Sequence, residues 1–404
     1  MQTNFKISQK RVDKKEIMDI ILLLMKRMVL ILVIVFFNFF SNAETPFSFS
    51  ADVPTGDIGK SIQEGDIDTL YITISAVGDI MMGSDFPSPV LPPSSGVDLF
   101  DNVKEYLKSD IVFGNLEGPL TVGGRTHKNI KSGRAYAFRT PPEYAKNLAD
   151  AGFNCVSLAN NHIMDFGRKG IKTTSQTLDS FHIEHSGPID DIAQFNIKGL
   201  NIGLIAFSTY GSTYNILNEN KAFSIIHSLS DSFDILIVSM HAGTEGTKAL
   251  HTKDRFEYLY GEPRGNVVRF SHKAIENGAD LILGHGPHVP RGLEIYKDRL
   301  IAYSLGNFCP YGRFSLHGAA GKSLILKVRL GKDGSFNGGN IIPIEIKRPG
   351  IPFVDSEGYT TELIRGLSNE DFKTGAPEID KNGTISKREK KEVETIGRVF
   401  EKKP

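Results

Sequence analysis

Two cysteines, Cys155 and Cys309, are all that a chain of 404 residues contains. A single bridge is therefore the most that an oxidising compartment would permit, and the plainer reading is two separate buried thiols behaving as small hydrophobes. Charge imbalance is also lacking: 47 Lys and Arg stand against 47 Asp and Glu. A formal net charge of zero forecasts no nucleic-acid footprint, which would need a basic stripe. No Gly-x-x-x-x-Gly-Lys-Ser/Thr run occurs, so a P-loop ligase within this chain is excluded. Ser304 lacks a Gly-x-Ser-x-Gly setting because Ala302 holds the first position, which argues against a serine-hydrolase elbow. There is no repeat or low-complexity tract long enough to change the fold reading.

What is present starts with the N-terminus. Lys26-Arg27 precede an apolar run from Met28 to Phe40, followed by Ser41-Asn42-Ala43. A charged region, a short apolar core and small residues at the cleavage positions read as a secretory signal peptide cut after Ala43. The alternative is an uncleaved anchor lengthened by Ile20 to Met25, with the basic block between Lys6 and Lys15 left cytoplasmic. No Cys follows the run, which argues against lipoprotein processing. Residues 44–70 show neither helical nor strand period and read as a linker or extension, residues 71–348 as the catalytic-size domain, and residues 349–404 as a polar C-terminal extension whose Ser386 to Lys403 stretch reads as a surface helix or a frayed end.

The domain is organised around Gly152-Phe153-Asn154-Cys155-Val156-Ser157-Leu158-Ala159-Asn160-Asn161-His162, an apolar run ending abruptly in amides and an imidazole. A buried strand that delivers polar groups to its carboxyl end is how open α/β sheets place their chemistry. Four other runs end likewise: Tyr71–Val77 in Gly78-Asp79, Ile111–Gly114 in Asn115-Leu116-Glu117, Ile235–Met240 in His241, and Leu281–Leu283 in Gly284-His285-Gly286-Pro287-His288. Oxygen and imidazole donors without thiolates suit Mn, Mg, Zn or Fe, as one or two ions.

These motifs, in this order and together with Tyr303-Ser304-Leu305-Gly306-Asn307-Phe308, resemble the CapA family of poly-γ-glutamate capsule-synthesis proteins, relatives of the calcineurin-like metallophosphoesterases. The resemblance implies a four-layer α/β sandwich of two mixed sheets flanked by helices. It implies metal ligation by Asp79, Glu117, Asn161, His241, His285 and His288, with Glu117 at the bridging position. His162 would stay off the metals and stabilise or protonate a leaving oxygen. Glu245, Glu294, Asn160 and Asn307 are candidates to support the ligands, although Asn160, Asp165 and Asn307 could equally be turn formers. Two departures from the wider superfamily stand out. Met81 occupies the place of a His two residues beyond the Asp, which weakens the first metal site, and His285 and His288 are separated by Gly286-Pro287 instead of one residue.

The function implied is that of an exported protein, periplasmic or extracellular, acting as a metal-dependent hydrolase in biosynthesis of poly-γ-glutamate or a similar anionic polymer. The alternative is a non-catalytic, polymer-binding partner of a membrane-bound capsule synthase. The Thr121 to Arg139 stretch reads as a long loop over the site. Its Lys128, Lys131, Arg134 and Arg139 would either attract an anionic substrate or form a solvated surface. Helices are expected over Leu99–Leu107, Pro141–Ala151, Phe166–Phe181, Ala222–Leu229 and Asn266–Asn277, and a hairpin joins Phe195–Ile197 to Ile202–Phe207.

Overall fold

The computed structural model describes residues 71–132 and 135–389. The N-terminal apolar run, the 44–70 segment, Arg134 and the chain from residue 390 lie outside the described residues. Among those described, no helix is long and apolar enough to cross a membrane.

The first strand, β1 (Ile72–Met81), shows how the layers are built. Ile72, Ile74 and Ala76 bury into one core cluster, while Thr73 and Ser75 face the other way. There Thr73 Oγ1 donates to Asp110 Oδ2 at 2.7 Å and Ser75 Oγ pairs with Ser109 Oγ at 2.7 Å. This is period-two alternation with each face occupied. The parity then slips, because Val77 and Ile80 both bury in the outer cluster and the register with β2 (Ile111–Leu116) shifts between Ala76 and Asp79. Such an irregularity re-aims a side chain, here turning Asp79 toward the second sheet.

The larger sheet runs β18 (Glu378–Ile379), β19 (Thr384–Ser386), β16 (Phe336–Lys347), β15 (Lys322–Leu330), β1, β2, β3 (Cys155–Ser157), β4 (Glu184–Ser186). In it β14 (Asn307–Pro310) also pairs with β1, and β17 (Ile351–Val354) with β16. The smaller sheet runs β12 (Leu293–Tyr296), β13 (Arg299–Ala302), β11 (Leu281–His285), β8 (Ile235–His241), β6 (Leu200–Ser208), β5 (Ala193–Ile197), with β7 (Tyr214–Asn215) on β6. Both sheets mix parallel and antiparallel pairs. One core cluster draws Ile74 and Phe113 from the larger sheet and Ile237 and Leu283 from the smaller, so the sheets pack face to face. Outside the larger sheet lie α1 (Lys104–Leu107), α2 (Ala145–Asp150) and α3 (Gly167–Ser180), through Leu107, Leu148 and Leu178. Outside the smaller lie α4 (Glu219–Ser230) and α5 (Val267–Glu276), through Ile226 and Phe270. Each fully buried Leu, Ile or Phe contributes roughly 1.5–3 kcal/mol. The result is the expected four-layer α/β sandwich.

Several details depart from the sequence reading. Leu99–Leu107 is α-helical only in its last turn, because the apolar positions at Leu99, Phe100 and Val103 are buried by successive turns. A hairpin of β9 (Glu257–Leu259) and β10 (Glu262–Gly265) lies in a stretch to which the sequence reading assigned no element. Residues after Pro349, read as a polar extension, add β17, β18 and β19 to the large sheet and a helix, α6 (Tyr359–Phe372), which buries Ile364 and Leu367. A single apolar stripe suffices to dock an otherwise polar helix. Cys155 lies in the inter-sheet core and Cys309 in the outer cluster, both free.

Candidate metal centre

Both sheets end their central parallel strands at one edge, and the polar tips meet there. Asp79 pairs in register with Asn115 across β1 and β2, and His241 with His285 across β8 and β11. The close approach needs glycine. A Cβ on Gly78 would stand 2.0 Å from the Gly306 carbonyl oxygen, and one on Gly284 would stand 2.2 Å from that of Tyr303.

Asp79, Glu117 and His241, all buried, each offer a ligand atom within 4.8 Å of the others. His241 Nε2 lies 3.3 Å from Glu117 Oε2, and His285 Nδ1 lies 3.3 Å from Asp79 Oδ1. His288 donates from Nδ1 to Asp79 Oδ2 at 2.8 Å. The two carboxylates are tied together by Asn115, whose Nδ2 donates to Asp79 Oδ1 at 2.8 Å and to Glu117 Oε2 at 2.5 Å. Burial by itself would raise both carboxyls. For Asp79 the adjacent rings of His285 and His288, the latter hydrogen-bonded to it, outweigh burial and hold the group well below the usual carboxylate range. For Glu117, burial is overcome chiefly by His241, and the carboxyl is held at about 2. Burial opposes charging His288, but Asp79, Glu117 and Glu245 push that ring up to about 9.

Whether this constellation fits a cation can be tested on its unsatisfied atoms. Both ring nitrogens of His241 and of His285, Glu117 Oε1 and Asn161 Oδ1 are buried with no hydrogen-bond partner among the described residues. Each buried polar group left unmet costs about 1–3 kcal/mol, so several at one spot call for something to complete them. Carboxylate oxygens, an amide oxygen and imidazole nitrogens without thiolate are a donor set for a hard or borderline divalent cation. The residues fit, and the cluster is able to hold such an ion.

Other sequence candidates fall around it. Asn160 is a brace: its Nδ2 donates to Asn115 Oδ1 at 3.0 Å and to the Leu116 carbonyl at 2.8 Å, and its Oδ1 accepts from the backbone of His162 and Ile163. Asn307 donates to the His288 carbonyl at 3.1 Å, where the backbone adopts a φ of +56°. Glu245 accepts from Arg264 at 2.5 Å. Glu294 does not join the ligands. Its neighbour Leu293 faces the inter-sheet core, so alternation along β12 turns Glu294 outward, where it accepts from Tyr303 at 2.6 Å and lies 2.9 Å from His272 Nε2.

His162 stands at the rim, its Nε2 3.9 Å from Glu117 Oε1 and its Nδ1 donating to Asp165 Oδ2 at 2.8 Å. The loop over the site supplies the rest. Phe138 N donates to the same Asp165 oxygen at 2.7 Å, and the Phe138 ring covers the imidazole at 4.2 Å. Lys128 Nζ is ion-paired to Asp165 Oδ1 at 2.6 Å and donates to the Asn161 carbonyl at 2.9 Å, and its charge lies 3.2 Å from His162 Nδ1. Burial first, then the Lys128 ammonium, hold the imidazole below its ordinary value, against the pull of Asp165. Lys131 is exposed, whereas Arg139 is taken up by Asp85 at 2.5 Å and the Phe86 and Phe166 rings. Asn115 and Asp165 therefore carry roles that sequence reading did not give them. The spacing of Asn115 and Glu117, two apart at a strand end, was the available signal for the first.

Residues 73–311 match the model of a family described as bacterial capsule synthesis protein PGA_cap. The chain is 30% identical over 250 residues to the capsule biosynthesis protein CapA of Bacillus anthracis, covering 59% of each. It is also 30% identical over 258 residues to the PGA biosynthesis protein CapA of Bacillus subtilis strain 168, covering 59% of this chain and 63% of that one. The matches thus span less than two thirds of those relatives' own length. Among solved structures it is similar to a 5'-nucleotidase precursor from Thermus thermophilus, at 12% identity and a TM-score of 0.38, covering 77% of this chain and 61% of that one.

Proposed function

The chain belongs to the family of bacterial capsule synthesis proteins, PGA_cap, and from that premise we propose that it is an exported, metal-dependent hydrolase acting in the synthesis, release or attachment of an anionic polymer such as poly-γ-glutamate. The observation that carries the hydrolase reading is the buried Asp79, Glu117 and His241 cluster, with imidazole nitrogens left unsatisfied beside it. Asp79, Glu117, Asn161, His241, His285 and His288 would hold the cation, which when bound supplies Lewis acidity and a nucleophile at neutral pH.

The chain's own residues do the rest. Asn115 fixes both carboxylates in one orientation. Asp165 accepts the hydrogen bond from His162 Nδ1–H, which leaves Nε2 as the working nitrogen on the Glu117 side. Because burial and Lys128 favour the neutral ring, His162 accepts a proton at Nε2 before it gives one up. Phe138 and the loop carrying it shield that exchange from bulk water.

Export rests on the Lys26–Ala43 stretch. N-terminal sequencing of secreted protein should show a mature chain starting at Glu44; a start upstream of Met28 means an anchor instead. Elemental analysis of the purified chain tests the metal. A polymer-holding partner of a membrane-bound synthase needs no stoichiometric divalent ion, so its absence would overturn the hydrolase reading.

A further inference from the structure

Among the described residues two arginines near the site are deeply buried, and they are treated differently. Arg291 is fully satisfied: Nε donates to the Ala249 carbonyl at 2.7 Å, Nη1 and Nη2 to the Glu257 carboxylate at 3.0 and 2.8 Å, and Nη2 also to the Thr244 carbonyl at 3.1 Å. Arg264, on β10, is only 2% exposed, yet its Nε and Nη1 have no hydrogen-bond partner among the described residues. Nη2 donates to Glu245 Oε1 at 2.5 Å, and the Tyr210 ring lies 5.8 Å from the guanidinium carbon. A buried, permanently charged group with open donors is costly unless a ligand completes it.

Its position says which ligand. The Arg264 carbonyl accepts from Gly243 N at 2.9 Å, two residues beyond His241, and Glu245 lies close enough to His288 for its charge to act on that ring. We propose that Arg264 is an anion-binding residue beside the metal cluster, taking a carboxylate or phosphate of the bound chain while Tyr210 backs the guanidinium and Glu245 competes for it. A planar guanidinium matches either oxyanion. The proposal deepens the polymer-processing reading and rests on it: an acidic repeat would place one charged group at Arg264 while a neighbouring bond lies at the cluster.

Isothermal titration calorimetry on the purified full chain, with a short γ-linked glutamate oligomer and with inorganic phosphate in parallel, tests it. Wild type should bind one of the two, and the responding probe identifies the oxyanion. Arg264→Met should weaken that binding about tenfold or more with metal content unchanged. Glu245→Gln should strengthen it about threefold, because the competing carboxylate is gone; a merely structural Arg264–Glu245 pair predicts no such gain, and this variant carries the test if Arg264→Met fails to fold. Equal affinities in wild type and Arg264→Met, no binding of either probe by wild type, or loss of binding in Glu245→Gln would overturn the assignment. The readout is heat of binding, not turnover. An ion-free or inactive protein that still binds through Arg264 would sink the hydrolase reading and leave this one standing.

Discussion

Lys128 Nζ sits 2.6 Å from Asp165 Oδ1, so a residue of the long loop over the site is ion-paired to the group that orients His162. The Asp165 side chain is wholly buried and that of Lys128 mostly so. This is a contact that water screens poorly.

Removing it has a readable consequence. Lys128→Ala takes a positive charge from beside the imidazole, so the His162 titration should move up in pH, as followed by NMR of the ring protons. The sign is set by charge: the ammonium disfavours the imidazolium, and its loss relieves that. An unchanged or lowered His162 titration would contradict the arrangement.

The roles of the two kinds of histidine separate in a pair of variants. His241→Ala should lose bound ion while circular dichroism stays native, because a ligand's loss weakens coordination directly. His162→Ala should keep the ion and lose about 10²–10⁴ in rate. Unchanged metal content in His241→Ala refutes its assignment as a ligand.

Met81 lies two residues beyond Asp79 on β1 and is buried. A thioether is a poor ligand for a hard cation, so fewer than two tightly held ions per chain are expected. Met81→His should raise the stoichiometry in elemental analysis; two tight ions in wild type would refute the expectation.

Ion uptake should depend on pH through His288. Asp79 and its neighbours, outweighing burial, hold that ring protonated up to about 9, and a ligand nitrogen must be free of its proton. Apparent affinity should therefore climb as pH rises toward about 9 and level off above, with roughly a fiftyfold difference between pH 7 and pH 9. Competition titrations with a chelator across that range check it, and a flat profile would exclude His288 as a ligand.

Glycine substitutions should diverge with their surroundings. Gly78→Ala drives a Cβ to 2.0 Å from a backbone oxygen and should cost about 3 kcal/mol or more, whereas Gly366→Ala, in α6 with nothing within 4 Å, should stabilise by about 0.5–1 kcal/mol. Chemical denaturation of both variants measures the difference.

Legible in the sequence were the strands that carry Asp79, the Asn160–His162 tip, His241 and His285, because a run of apolar residues halted by polar ones is a local signal. The kinds of donor available and the order of the layers could be read there too, through period and resemblance. Who faces whom was settled only by packing in three dimensions. The slip in β1 that turns Asp79 inward, the alternation along β12 that turns Glu294 away, and the Asn115 bridge between two carboxylates all depend on register between strands distant in the chain. Arg264 was illegible as a neighbour of the site for the same reason, and Lys128, read on a loop over the site, gave no sign of its pairing with Asp165. A charged side chain in a loop or short hairpin looks solvated in sequence, and only packing against residues about 20 to 40 positions away shows that water has been removed from it.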